Sequence, residues 1–299
     1  MPSPGQLLLY LSMVLVGSVV KVEDSMAQDS SATADANATV TLETLLPIHR
    51  EAAEEYELSI DGRSDRPVRL SPTPISQWTN IRRAGGQLGH VFVWMDGDEP
   101  AAMGAIFSFP WGGEILQRRV VHELHALSPT KLTVTRKAAG TVWKPTAGLT
   151  RRPLPGVVAE VSNAARFKIQ SRQISRQFSG YCVDAEGNRW ELRVLPTPLM
   201  AYPIDRDDHT GFGAIVGMMG DVGSDLESGC IIEGTKDIKS GKPKWQFAPI
   251  RMTDMETHLS FNRKPIWDSV RTQTDTSFYD SEKIYFRFQD KTVAMNDGS

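Results

Sequence analysis

The chain has 299 residues, of which 40% are hydrophobic, 8% aromatic and 23% charged, with a net charge of −3. Those proportions belong to a folded protein and exclude a disordered or fibrous one. The near-neutral balance leaves no electrostatic footprint for nucleic acid, and the basic pairs Arg82-Arg83, Arg118-Arg119 and Arg151-Arg152 are scattered.

Residues 1–27 read as a secretory signal peptide. The apolar run from Leu7 to Val20 has signal length, and Ser25 and Ala27 put small residues at the −3 and −1 positions of a cut before Gln28. The expected address is secreted or periplasmic. No later apolar run is long enough to cross a bilayer, so no membrane span is expected after signal cleavage. Residues 28–45, rich in Ser, Ala, Thr and Asp, predict a flexible tether.

Two β units follow. Residues 46–157 predict a first β unit with an N-terminal helix opened by Pro47 and carrying Ile48, Ala52 and Tyr56 on one face. Tyr56, Leu58 and Ile60 alternate as a strand. Val91 to Met95 is apolar on both faces, and Asp96 to Glu99 reads as a hairpin tip. Residues 158–290 predict a helix at about 161–178, with Val161, Ala165, Ile169 and Phe178 aligned, and then a second β unit. Ile284, Phe286 and Phe288 alternate as a last strand, and 291–299 read as a frayed tail. The two units look like an internal repeat: Trp143 and Trp267 stand 124 residues apart, Leu124 and Phe247 stand 123 apart. The fold class is therefore α+β, predominantly antiparallel β, with two similar β units joined by a helix.

Chemistry is harder to place. His122-Glu123-Leu124-His125 has half the look of a zinc-protease helix, but its histidines are three apart and not four. Read as a strand, it sends His122 to one face and Glu123 with His125 to the other. Glu123 and His125 are the candidate catalytic pair, and His122 is the candidate metal ligand. Paired carboxylates for glycoside hydrolysis could come from Glu99, Glu114, Glu123, Glu191 or Glu233, but their separation is not written in sequence. Seven tryptophans fit a β core using indole as filler. Trp111, in Phe109-Pro110-Trp111-Gly112-Gly113, is the candidate exposed ligand-binding ring. Cys182 and Cys230 are two buried thiols or, in an oxidising compartment, a disulfide. No cofactor motif is present.

Pro74 to Asn80, Val91 to Trp94, His122 to Ser128, Leu195 to Tyr202 and Trp245 to Met252 together resemble an uncharacterised family of secreted planctomycete proteins. The resemblance implies export and brings no activity or binding residue with it. Two functional readings stand: a non-enzymatic binding or interaction protein with an unknown ligand or protein partner, or an extracytoplasmic hydrolase, with or without a metal, using Glu123 and His125.

Overall fold

Thr41 and Thr44 close a capping box, each side-chain oxygen accepting the other residue's backbone N–H, and so start helix α1 (Leu42–Glu54). The computed structural model describes residues 40–295 except 64–65, 83, 113, 138, 159, 221–222 and 270–279. The expected signal peptide and most of the tether lie outside the described residues. Residues 42–45, expected in the tether, are helical instead, because the capping box sets the helix start at Leu42 and leaves Pro47 inside the helix. The buried face of α1 is Leu45, His49, Ala52 and Ala53.

The first unit continues through β1 (Tyr56–Ile60), β2 (Arg69–Leu70), β3 (Ser76–Asn80), β4 (Gln87–Asp96), β5 (Glu99–Trp111), β6 (Glu114–Ala126), β7 (Leu132–Arg136) and β8 (Gly140–Trp143). All pairing is antiparallel. β4, β5 and β6 form long adjacent hairpins, β2 and β3 both pair with β4, and β1-β7-β8 make a small separate sheet.

After β9 (Arg152–Pro153), the order returns. Helix α2 (Ala164–Ser175) is capped by Asn163, whose Oδ1 accepts from the Arg166 backbone N–H at 2.9 Å. There follow β10 (Phe178–Val183), β11 (Arg189–Val194), β12 (Met200–Arg206), β13 (His209–Gly220), β14 (Leu226–Asp237), β15 (Pro243–Arg251), β16 (Glu256–Phe261) and β17 (Lys264–Ser269). β12 and β11 both pair with β13, β13-β14-β15 are adjacent, and β10-β16-β17 pair in the manner of β1-β7-β8. The six-residue β11 reaches β10, which the two-residue β2 does not do for β1, so the second unit is one continuous curled sheet.

The likeness extends to single residues. The buried positions of α2, Phe167, Ser171, Ile174 and Ser175, each fall 122 residues after Leu45, His49, Ala52 and Ala53. Ile169, expected on the inner face of α2, is exposed. Bulges between Trp94/Met95 and Met218/Met219, and between Val134/Thr135 and Leu259/Ser260, recur at corresponding places. Trp78 lies across Gly89 and Tyr202 across Gly213, so closely that a Cβ at either glycine would overlap the ring. Trp143 corresponds to Trp267, as their offset predicts, since each is paired beside its bulge. Leu124 does not correspond to Phe247; the register places His122 there. The turn after the first long strand is longer in the second unit, which shifts the alignment beyond it.

Each unit then lends a strand to the other. β9, at the end of the first unit, pairs with β15 of the second. β18 (Tyr285–Ala294), at the end of the second unit, pairs with β6 of the first. Pairing of Thr292, Val293 and Ala294 with Arg119, Arg118 and Gln117 carries this strand into the stretch expected to fray. Three apolar clusters result. One lies between α1 with the small sheet and the β4-β5-β6 face, one between the two large sheets, and one between the second large sheet and α2. Trp78, Trp94, Trp143 and Trp245 are core residues, and both cysteines are free buried thiols. No helix among the described residues is long and apolar enough to cross a membrane.

Candidate functional site

The strand reading of residues 122–125 places the side chains as alternation requires. His122 points toward α1 and the small sheet, where its Nδ1 is 2.8 Å from Tyr56 Oη and its ring stacks on Phe288 at 4.7 Å. Its Nε2 lies 3.3 Å from Asp290, and burial nonetheless lowers its pKa. Among the described residues, no group of three His, Cys, Asp or Glu side chains could hold a metal ion.

Glu123 and His125 face the other way, into the layer between the two large sheets, and both are buried. Glu123 pairs with Arg287 at 3.1 Å, and Arg287 also donates to Asp254 at 2.6 Å. His125 donates from Nδ1 to the Ala126 carbonyl at 2.9 Å, and burial depresses its pKa to about 3. An imidazole so depressed is a weak base, and neither group opens onto solvent as a hydrolytic pair must. Trp111 is exposed at the far end of β5, with the Arg119 guanidinium 4.4 Å from its ring centre and Phe109 beside it.

Two further groups come together, of which sequence reasoning named only Glu99 and Glu233, as two of five possible paired carboxylates. The first is His49 on α1 and His90 on β4, fully buried with their Nδ1 atoms 2.9 Å apart. Burial lowers the pKa of both. Their counterparts in the second unit are Ser171 and Ala214, which cannot titrate. The second is a buried ion network around Glu233. Arg151 and Arg206 reach its carboxylate at 3.2 and 3.1 Å, and Tyr202 donates to it at 3.3 Å. Burial alone would raise the Glu233 pKa, but the two guanidinium groups outweigh it and hold the carboxyl below its ordinary value. That is the reverse of what a glycosidase acid needs. Arg206 spans to Glu99 as well, at 2.5 Å.

The network closes one of two corresponding mouths at the boundary between the units. The closed mouth is lined by Arg63, Asp96, Glu99, Pro129, Thr130 and Arg206 and keeps about 50 Å³. Pro129 and Thr130 correspond to Asp254 and Met255, and Arg63 to Ala185. Those three line a second, open mouth of about 400 Å³, together with Ala84, Gln87, Asp184, Glu186, Trp190 and Arg287. Its volume is that of a small-molecule site. Asp184 shapes its rim: Oδ2 accepts from Trp190 Nε1 and Asn188 Nδ2, both at 3.0 Å, and Oδ1 from the backbone of Glu186 and Asn188. These bonds outweigh what burial costs the charge, and the Asp184 pKa falls to about 2.

These features define an antiparallel β protein of two similar units with exchanged terminal strands and one open boundary cleft. No family model, curated protein or solved structure matches the chain.

Proposed function

We propose that the chain is an exported, non-enzymatic binding protein built from two tandem copies of one β unit, and that the open mouth at Trp190 is its ligand site. The observation that carries this reading is the asymmetry of the two mouths. Their backbones correspond, yet one is filled by Arg206 and Glu99 and the other is left open with an oriented indole on its wall. A mouth of no use would be expected to be filled like its counterpart, because an open polar cavity forfeits packing. The leader and the sequence resemblance support export. The hydrolase alternative has less support, since Glu123 is engaged by Arg287 and His125 is enclosed at a pKa of about 3.

Thermal-shift screening of the purified protein against sugars, amines and carboxylates tests the reading. A binder should raise the melting temperature by a few degrees at saturating concentration. Trp190→Ala should abolish that shift while Trp111→Ala keeps it. A binder that depends on Trp111 and ignores Trp190 would move the site to the β5-β6 hairpin, and turnover of a substrate lost in Glu123→Gln would overturn the reading.

A further inference from the structure

We infer that the open mouth takes a cationic ligand, one that presents a guanidinium or alkylammonium group. The inference rests on the cleft reading above and adds the charge of what the cleft holds.

The molecule carries its own precedent. In the closed mouth, the space is occupied by the Arg206 guanidinium, clasped by Glu99 at 2.5 Å and Glu233 at 3.1 Å. The counterpart of Arg206 in the first unit is Arg82, which is exposed and makes no such insertion. Among the described residues, the open mouth has no cation inserted from the position that corresponds to Arg206; its own guanidinium, Arg287, comes from the exchanged strand β18 and is held by Glu123 and Asp254.

Its walls keep the complementary charge. Among the described lining residues, Asp184, Glu186 and Asp254 bring three carboxylates and Arg287 one guanidinium. That guanidinium is already met by Glu123 at 3.1 Å and Asp254 at 2.6 Å, so it offers little to an anion. Negative charge therefore predominates where a ligand would sit. An anion entering there would meet like charge in a partly desolvated space, whereas a cation gains from it. Trp190 adds a second recognition element of the same sign. Indole is the best aromatic partner for a cation, and the bond to Asp184 fixes the orientation of this one. Asp184 has both oxygens engaged by the turn and Asp254 is paired with Arg287, so Glu186 is the carboxylate left to meet the ligand.

The same chemistry could arrive as a free small cation or as an arginine side chain of a peptide. Calorimetric titration of the full chain with agmatine, and separately with N-acetyl-Ala-Arg-Ala-amide, distinguishes them; glucose and inorganic phosphate serve as neutral and anionic controls. Binding by agmatine is expected in the range of about 10 µM to 1 mM, weakened by added salt. Glu186→Gln and Trp190→Ala should each weaken it by about tenfold, the loss of one charge-assisted or cation–π contact. Glu186 is exposed and Trp190 packs only at the margin of the α2-side cluster, so both variants should fold, which circular dichroism checks. If the peptide binds at least tenfold more tightly than agmatine, the source is a protein. If glucose or phosphate binds with dependence on Trp190 and agmatine does not, the charge assignment fails and the cleft reading stands. If none of the four probes binds at about 10 mM, the charge assignment is overturned, and the screen described above decides the cleft reading separately.

Discussion

At the scale of single residues, the histidines carry the clearest consequence for solution behaviour. His125 titrates near 6.5 when the chain is unfolded and at about 3 in the folded protein, because burial excludes the charged ring. Between those values the unfolded chain takes up a proton that the folded one refuses. Stability contributed by neutral His125 is therefore complete above about pH 6.5 and is lost as pH falls toward 3. At pH 4.5 the loss amounts to roughly 2–3 kcal/mol. His49 and His90, also lowered by burial, add to it in the same direction. Urea denaturation at pH 7.5 and 4.5 should show a markedly lower midpoint in acid, and His125→Gln should flatten the dependence; an unchanged slope in the variant would exclude this residue as the source. The position of His125 on β6 was legible from alternation, since Val121, Glu123 and His125 had to share a face. What that face meets was not. Glu123 is engaged by Arg287, 164 residues away, and no local pattern announces a partner on an exchanged strand. The same holds for His49 and His90, lone histidines in apolar surroundings whose 2.9 Å approach depends on how α1 docks.

At the scale of elements, strands were easier to read than helix boundaries. β1 follows directly from Tyr56, Leu58 and Ile60, and its buried-exposed alternation is complete. Helix α1 was misplaced because Pro47 looks like a first-turn residue, whereas the Thr41–Thr44 box sets the start at Leu42, five residues upstream of it. Helix α2 has a weakly marked apolar face: Ile169 points out, and Ser171 and Ser175 are buried, so periodicity alone selects the wrong side. The glycines opposite Trp78 and Tyr202 are a packing device that hydropathy cannot reveal. Each gives up a side chain so that a large ring can lie flat across its strand. Gly89→Ala should push the Trp78 ring aside and cost about 1–3 kcal/mol as overpacking. Chemical denaturation checks this, and Gly89→Ala should cost much less in a Trp78→Ala background than in the natural one if the ring is the obstacle.

At the scale of the whole molecule, the two units are neither one sheet nor two independent domains. The exchange of β9 and β18 ties them, and the central apolar cluster draws residues from both. Thermal unfolding should follow a single cooperative transition, and ending the chain at Ile284, which removes β18, should destabilise both units together. Two separate transitions in the intact protein, or a truncated chain that keeps the second unit's transition, would count against this coupling. The exchange also sets an order in time. β6 is made early, but its outer edge stays unpaired until residues 285–294 have been synthesised. The first unit cannot finish its sheet while the ribosome is still working on the second. A chain built this way is held short of its native state until residues 285–294 are available to pair, which leaves the edge of β6 open for as long as the whole second unit takes to be made.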